Sequence, residues 1–241
     1  MPQLLLEIFS EEIPARMQAG AARDLERMAG ERLKAAGLSW DALTTFSGPR
    51  RLTLVVEGLP TATPDRSEEI KGPKTSAPEQ ALEGFLRKTG LTREQLEERD
   101  GVLYARIQET GRATTEVVAE TVDAVVRGFP WPKSMRWGDG TLRWVRPIKR
   151  ILCLFDGAVV PFAIDGIVSG DATEGHRFLG TGRPLKIRDF ADYRRQLQDN
   201  FVMLDVADRK LRILEQANAV CAARKASQTA SFSSGSLEHV A

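Results

Sequence analysis

Gln3-Leu4-Leu5-Leu6-Glu7-Ile8-Phe9, followed at once by Ser10-Glu11-Glu12-Ile13-Pro14, is the stretch on which the fold turns. A short apolar run interrupted only by Glu7 reads as a strand, and residues 10–14 read as the start of a helix. Ser10 suits a cap, Glu11 and Glu12 sit where the helix dipole favours anions, and Pro14 fits a first turn. Leu25, Met28, Ala29, Leu33 and Ala36 then recur at helical spacing, and Gly37 is a natural stop. One strand feeding one amphipathic helix defines a mixed α/β start.

Working outward, Phe46-Ser47-Gly48-Pro49-Arg50-Arg51 is a turn signal leading into a β-rich strand over 52–57. Residues 60–78 hold four prolines and predict an extended loop. Helices are expected over 78–89 and 92–99, the second opening on Thr92-Arg93-Glu94-Gln95, close to a capping box. A strand over 102–108 precedes a helix over 114–128 that places Val118, Val122, Val125 and Val126 on one side. At Phe129-Pro130-Trp131-Pro132 the character changes, and short β-like runs follow at 142–145, 151–155, 159–164 and 185–187, separated by Gly and Asp-Gly turns. From Phe190 the pattern returns to helix through Tyr193, Leu197, Leu211 and Leu214, ending in a Ser-rich, loose stretch over 227–236. The expected class is α+β: a mixed unit over 1–128, a β-rich basic and aromatic module over 129–189, and a helical segment over 190–241.

The 241 residues are 42% hydrophobic and 28% charged, which excludes disordered and collagenous chains. No apolar run approaches the ~20 residues that span a bilayer, and residues 4–9 lack the cationic start of a signal peptide, so the expected compartment is the cytoplasm. Cys153 and Cys221 form no disulfide framework and are expected as buried thiols; His176 and His239 lack zinc-site spacing. The formal net charge is only +1, yet between Arg127 and Arg150 seven basic residues face one acid, Asp139. Three of the four tryptophans, Trp131, Trp137 and Trp144, share that stretch.

Chemistry-bearing patterns are few. Glu11-Glu12 offers paired carboxylates, though adjacent acids at a helix start are more simply dipole-compensating. Nucleophile-elbow, P-loop, His-Glu-x-x-His and dinucleotide patterns do not occur. Basic motifs carry more. Gly48-Pro49-Arg50-Arg51 puts two planar guanidinium groups at a turn, where they suit phosphate, and Lys71-Gly72-Pro73-Lys74 follows the same logic. In Phe129-Pro130-Trp131-Pro132-Lys133-Ser134-Met135-Arg136-Trp137-Gly138, cations project among aromatic planes, a combination suited to single-stranded or distorted nucleic acid or to packing in the core. Gly175-His176-Arg177-Phe178 sets an imidazole beside a guanidinium, for phosphate or base contact or for closing a turn.

Taken in order, these motifs, with Arg143-Trp144-Val145-Arg146-Pro147-Ile148 and Leu154-Phe155-Asp156-Gly157, resemble the β subunit of bacterial heterotetrameric glycine–tRNA ligases across residues 4–215. Ser47-Gly48 stands where the family commonly shows a Thr before Pro-Arg-Arg, and Lys149 where an aromatic or histidine is frequent; neither change removes the basic character. The resemblance implies a front portion of a longer subunit, which binds tRNA(Gly) and docks on an α subunit in an α2β2 tetramer. It implies that ATP and Mg²⁺ act on the α subunit, with no cofactor, metal or catalytic residue on this chain. The tRNA contacts it suggests are Arg50, Arg51, Lys71, Lys133, Arg136, Trp137, Arg146, His176 and Arg177. The competing expectation is a non-catalytic scaffold whose basic, Trp-rich segment is a subunit interface.

Overall fold

The computed structural model describes residues 2–223. Strand β1 (Gln3–Ser10) leads to helix α1 (Ala15–Ala35), and β2 (Ala42–Gly48) with β3 (Arg51–Glu57) makes a hairpin. Next come β4 (Arg66–Lys74), α2 (Glu79–Thr89), a 3-10 turn (Arg93–Gln95), β5 (Leu96–Arg99), β6 (Val102–Glu109) and α3 (Thr114–Gly128). An irregular stretch then precedes β7 (Ile148–Phe155), β8 (Ala158–Val159), β9 (Ala163–Ile164), β10 (Ile167–Gly170), β11 (Ala172–Thr173) and β12 (Leu185–Lys186). Helices α4 (Phe190–Asp199) and α5 (Val206–Ala223) complete the described chain, and the class is α+β. Two compact units result, one from residues 2–61 and 114–223, the other from 62–113. The sequence boundaries at 128/129 and 189/190 both fall inside the larger unit.

In the larger unit β1 is central, antiparallel to β3 on one side and to β7 on the other. The sheet runs β2-β3-β1-β7-β10-β9, with β8 beside β7. Strand β7, from the β-rich stretch, therefore shares a sheet with the first strand of the chain. Alternation along a strand sends Leu4, Leu6 and Ile8 to one face and Leu5, Glu7 and Phe9 to the other. The first face packs on Leu25, Ala29 and Leu33 of α1 and Val118, Val122 and Val125 of α3. Across the sheet, Leu5, Val55, Leu152 and Leu154 pack on Tyr193 and Leu197 of α4. Covered on both sides, β1 needs apolar residues at nearly every position, each contributing roughly 1.5–3 kcal/mol on burial. The Asp156-Gly157 and Asp165-Gly166 turns are left-handed at both residues, with φ of 50° and 79°, and of 52° and 82°, as tight hairpins after β7 and β9 require.

Several local expectations are corrected. Helix α1 starts only at Ala15 with Pro14 before it and no acid in its first turn. Ser10 ends β1 and donates to the Glu11 carbonyl instead of capping, while Glu11 and Glu12 face cations from other elements. Residues 142–145 form no strand; Trp144 makes an isolated bridge with Met135. The prolines of 60–78 do not keep the whole stretch a loop, because its middle part, β4, pairs with β6. Where a helix was expected over 92–99, the Gln95 side chain accepts the Thr92 N–H (2.8 Å), but pairing of β5 with β6 ends the helix after one turn. Cys153 is buried, and burial pushes its thiol pKa up, whereas Cys221 is half-buried. The Ser-rich stretch and His239 lie outside the described residues.

The smaller unit is an antiparallel sheet ordered β4-β6-β5 with α2 against it. Gly72 explains part of the Lys-Gly-Pro-Lys motif: a Cβ there would lie 2.6 Å from the Phe85 ring of α2. Among the described residues of this unit, Ala105 is the only buried hydrophobic one.

Candidate nucleic-acid interface

Glu7 is the polar residue in the strand that decides the fold, and it is fully buried on the α4 face. β-pairing sets Thr53 opposite it and brings Arg51, opposite Phe9, onto the same face. The Glu7 carboxylate accepts hydrogen bonds from the Thr173 and Tyr193 hydroxyls, and Tyr193 Oη also lies 2.9 Å from Thr53 Oγ1. Burial, and after it the Glu7 charge, raises the Tyr193 phenol pKa, so the phenol remains a donor. Arg51 Nη1 sits 3.2 Å from Glu7, an ion pair without hydrogen-bond alignment. Its Nη2 donates to the Glu174 carbonyl at 2.7 Å. Arg51 thus ties the Gly48–Arg51 turn to the one that carries His176 and Arg177.

That second turn is seated on the end of α4. A Cβ on Gly175 would lie 2.5 Å from Asn200 Cβ, and the His176 N–H donates to the Asn200 carbonyl (2.8 Å). Helix α4 ends in a Schellman motif, Val202 N–H to Leu197 O at 2.8 Å and Phe201 N–H to Gln198 O at 3.1 Å. Its left-handed position, normally glycine, is Phe201 at φ 64°. A side chain in that conformation costs about 1–2 kcal/mol, and the ring recovers little by packing because Phe201 is 61% exposed. Asp192 anchors the start of the same helix. Burial alone would raise its pKa, but hydrogen bonds from Gln196, Arg195 and Arg188 prevail and bring it down to about 2.

Between these turns and α5 lies a cleft of about 600 Å³. Five arginines line it, Arg50, Arg51, Arg177, Arg209 and Arg212, and among the described residues Glu12 is the only acid that does. Arg50 stacks 4.6 Å from the Phe9 centroid, reaches the Glu174 carboxylate only at 4.0 Å, and leaves a buried Nε without a partner among the described residues. Arg177 touches Glu11 and Glu12 at 3.3 and 3.5 Å. Arg212 is exposed and makes no ion pair among the described residues. Arg209 is structural: it donates to the carbonyls of Met203, Leu204 and Ser47, and burial lowers its pKa. His176 Nδ1 accepts the N–H groups of Phe178 and Leu179, leaving Nε2 to carry the neutral ring's proton. Phe178 is 81% exposed at the same surface.

The basic segment is arranged differently. Phe129, Trp131 and Trp144 pack ring on ring with centroids 4.7–5.0 Å apart, Trp144 is fully buried, and Trp137 packs partly buried against the core. Three of the seven cations are neutralised by acids distant or local: Arg127 by Asp123, Lys149 by Glu11 and Arg150 by Glu174. The Lys149 hydrogen bond is the main reason the Glu11 carboxyl pKa is lowered. Lys133 and Arg136 are exposed and unpaired among the described residues, and half-buried Arg146 donates to the Val145 carbonyl.

Of the expected contact residues, Arg50, Arg51, His176 and Arg177 therefore converge on one cleft, with Arg51 buried as its clamp. Lys133, Arg136, Trp137 and Arg146 do not line it, and Lys71 is an exposed residue of the smaller unit. Sequence reading overlooked Arg212 and Phe201. A bulky residue just past a helix end, where glycine is favoured, was the available signal for Phe201.

Fold and cleft together define an α+β domain whose concave surface carries arginine, histidine and phenylalanine. Residues 4–241 match the family model described as Glycyl-tRNA synthetase beta subunit, and the chain belongs to that family. The glycine–tRNA ligase beta subunit of Phenylobacterium zucineum is 66% identical over 224 residues, covering 93% of this chain and 34% of that protein. Its namesake from Cereibacter sphaeroides is 52% identical over 90% of this chain and 32% of its own length. The one from Rhodospirillum centenum is 43% identical over 92% and 35%. The chain spans about a third of the length of these relatives.

Proposed function

We propose that this chain is the N-terminal part of a glycine–tRNA ligase β subunit that binds tRNA(Gly) and docks on the α subunit of an α2β2 enzyme in the cytoplasm. ATP and Mg²⁺ act on the α subunit, and we assign no catalytic residue or cofactor to this chain. The observation that carries the reading is the cleft, where Arg50, Arg177 and Arg212 keep donor capacity in a chain of nearly zero net charge. Lys133, Arg136 and Arg146 extend the phosphate contacts, Lys71 contributes one from the smaller unit, and His176 and Trp137 offer base or acceptor-end contacts. Arg51 holds the cleft in shape.

The test is tRNA binding across a salt series. Each phosphate contact removed lowers the slope of log affinity against log salt by about one. Arg50→Ala with Arg212→Ala should weaken binding and flatten the slope by about two, as should Lys133→Ala with Arg136→Ala. Unchanged affinity and slope in both pairs would sink the reading.

A second reading is favoured by Met135, 40% exposed between Lys133 and Arg136: this segment is the α-subunit interface. Association with purified α subunit that survives removal of tRNA, yet falls with Lys133→Ala and Arg136→Ala, would select it.

A further inference from the structure

The cleft contains more than cations. Phe201 occupies the left-handed position of the α4 terminus, where a ring is sterically disfavoured, and its ring is left 61% exposed instead of buried. Neither backbone preference nor packing accounts for phenylalanine there, and strain of this kind collects at functional sites. Phe178, 81% exposed, lines the same cleft from the turn that rests on Asn200, the residue before Phe201. Around the rings stand Arg50 and Arg212, the first with its Nε unpartnered and the second unpaired among the described residues, loosely paired Arg177, and His176 held so that Nε2 donates. At about 600 Å³ the space suits a small planar group with its phosphates. An intact duplex buries its bases in the stack and offers aromatic rings nothing to cover, whereas an unpaired base offers a whole face.

We propose that the cleft seats one unpaired nucleotide of an RNA strand, its base against Phe201 and Phe178 and its phosphates on Arg50, Arg177 and Arg212. This rests on the RNA-binding reading above and specifies the form of RNA the site takes. The rings supply affinity that is insensitive to salt, and the arginines supply the salt-sensitive part.

The experiment uses the full chain and three labelled probes: a short single-stranded RNA, the same strand with abasic positions, and a blunt RNA duplex. The wild type should prefer the intact single strand over both other probes. Phe201→Gly should weaken binding of that strand by at least about fivefold with an unchanged salt slope, while the melting temperature holds or rises because strain is relieved. Phe178→Ala should act in the same direction, and Arg212→Ala should reduce the salt slope by about one. Equal affinity for intact and abasic strands, with no loss in Phe201→Gly, would overturn the nucleotide seat and leave RNA binding standing. Failure of the wild type to bind any probe would remove both. If Phe201→Gly loses only α-subunit association and keeps RNA affinity, the rings anchor a protein and the nucleotide seat is wrong.

Discussion

Around the cleft, the rings of Phe178 and Phe201 are exposed and the Arg51–Glu7 pair is buried; in residues 129–144, the rings of Phe129, Trp131 and Trp144 are packed together and Lys133 and Arg136 stand outside. Both stretches read alike in sequence, as arginine or lysine among aromatics. The difference teaches that composition identifies a basic aromatic surface without saying which partner of the combination is structural. In one place the aromatics hold the backbone so that cations can be presented. In the other a buried ion pair holds the turns so that aromatics can be.

Three substitutions press on that contrast. Trp144→Ala should be the most damaging, costing about 4 kcal/mol in denaturant unfolding, because it empties the centre of the aromatic cluster; a cost near that of a surface change would mean that these rings are not the segment's support. Glu7→Gln should cost about 3 kcal/mol, since it leaves the Arg51 guanidinium buried opposite a neutral amide. Wild-type stability in Glu7→Gln would show that the two turns are not held by this pair.

Smaller is the acid effect of Asp192. Its folded pKa lies at about 2, below the ordinary 3.8, so its contribution is fully present above about pH 4 and is lost as pH falls through about 2. The shift corresponds to about 2 kcal/mol. Unfolding free energies measured from pH 5 downward should converge for the wild type and Asp192→Asn at the acid end. A constant gap between them would assign the loss to packing instead of charge.

Much of the fold was legible where local periodicity and burial agree. Helix α3 (Thr114–Gly128) runs as its valines predict, and β1 and β3 stand where their apolar runs lie. Strand β2 escaped notice because Thr44, Thr45 and Ser47 carry no apolar alternation, and as an edge strand, paired among the described residues with β3 alone, it needs less. The start of α1 was misplaced because Glu11 and Glu12 fit a helix dipole locally, while Lys149 and Arg177, distant in sequence, claim them in space. Of the site, both motifs that flank the cleft were visible as Gly48-Pro49-Arg50-Arg51 and Gly175-His176-Arg177-Phe178. Their convergence was not, because it depends on Arg51 reaching Glu174 and Gly175 resting on Asn200.

By itself the sequence determined the class of the fold, the family, and the positions of the basic motifs, since periodicity, turn residues and ordered motifs are properties of neighbours along the chain. Tertiary structure alone decided which charges remain available. Arg51, Lys149 and Arg150 are taken up by Glu7, Glu11 and Glu174, whereas Lys133, Arg136 and Arg212 stay open among the described residues. Charge neutralisation acts over a few ångströms through space, and strand order and helix ends, not sequence separation, set those distances.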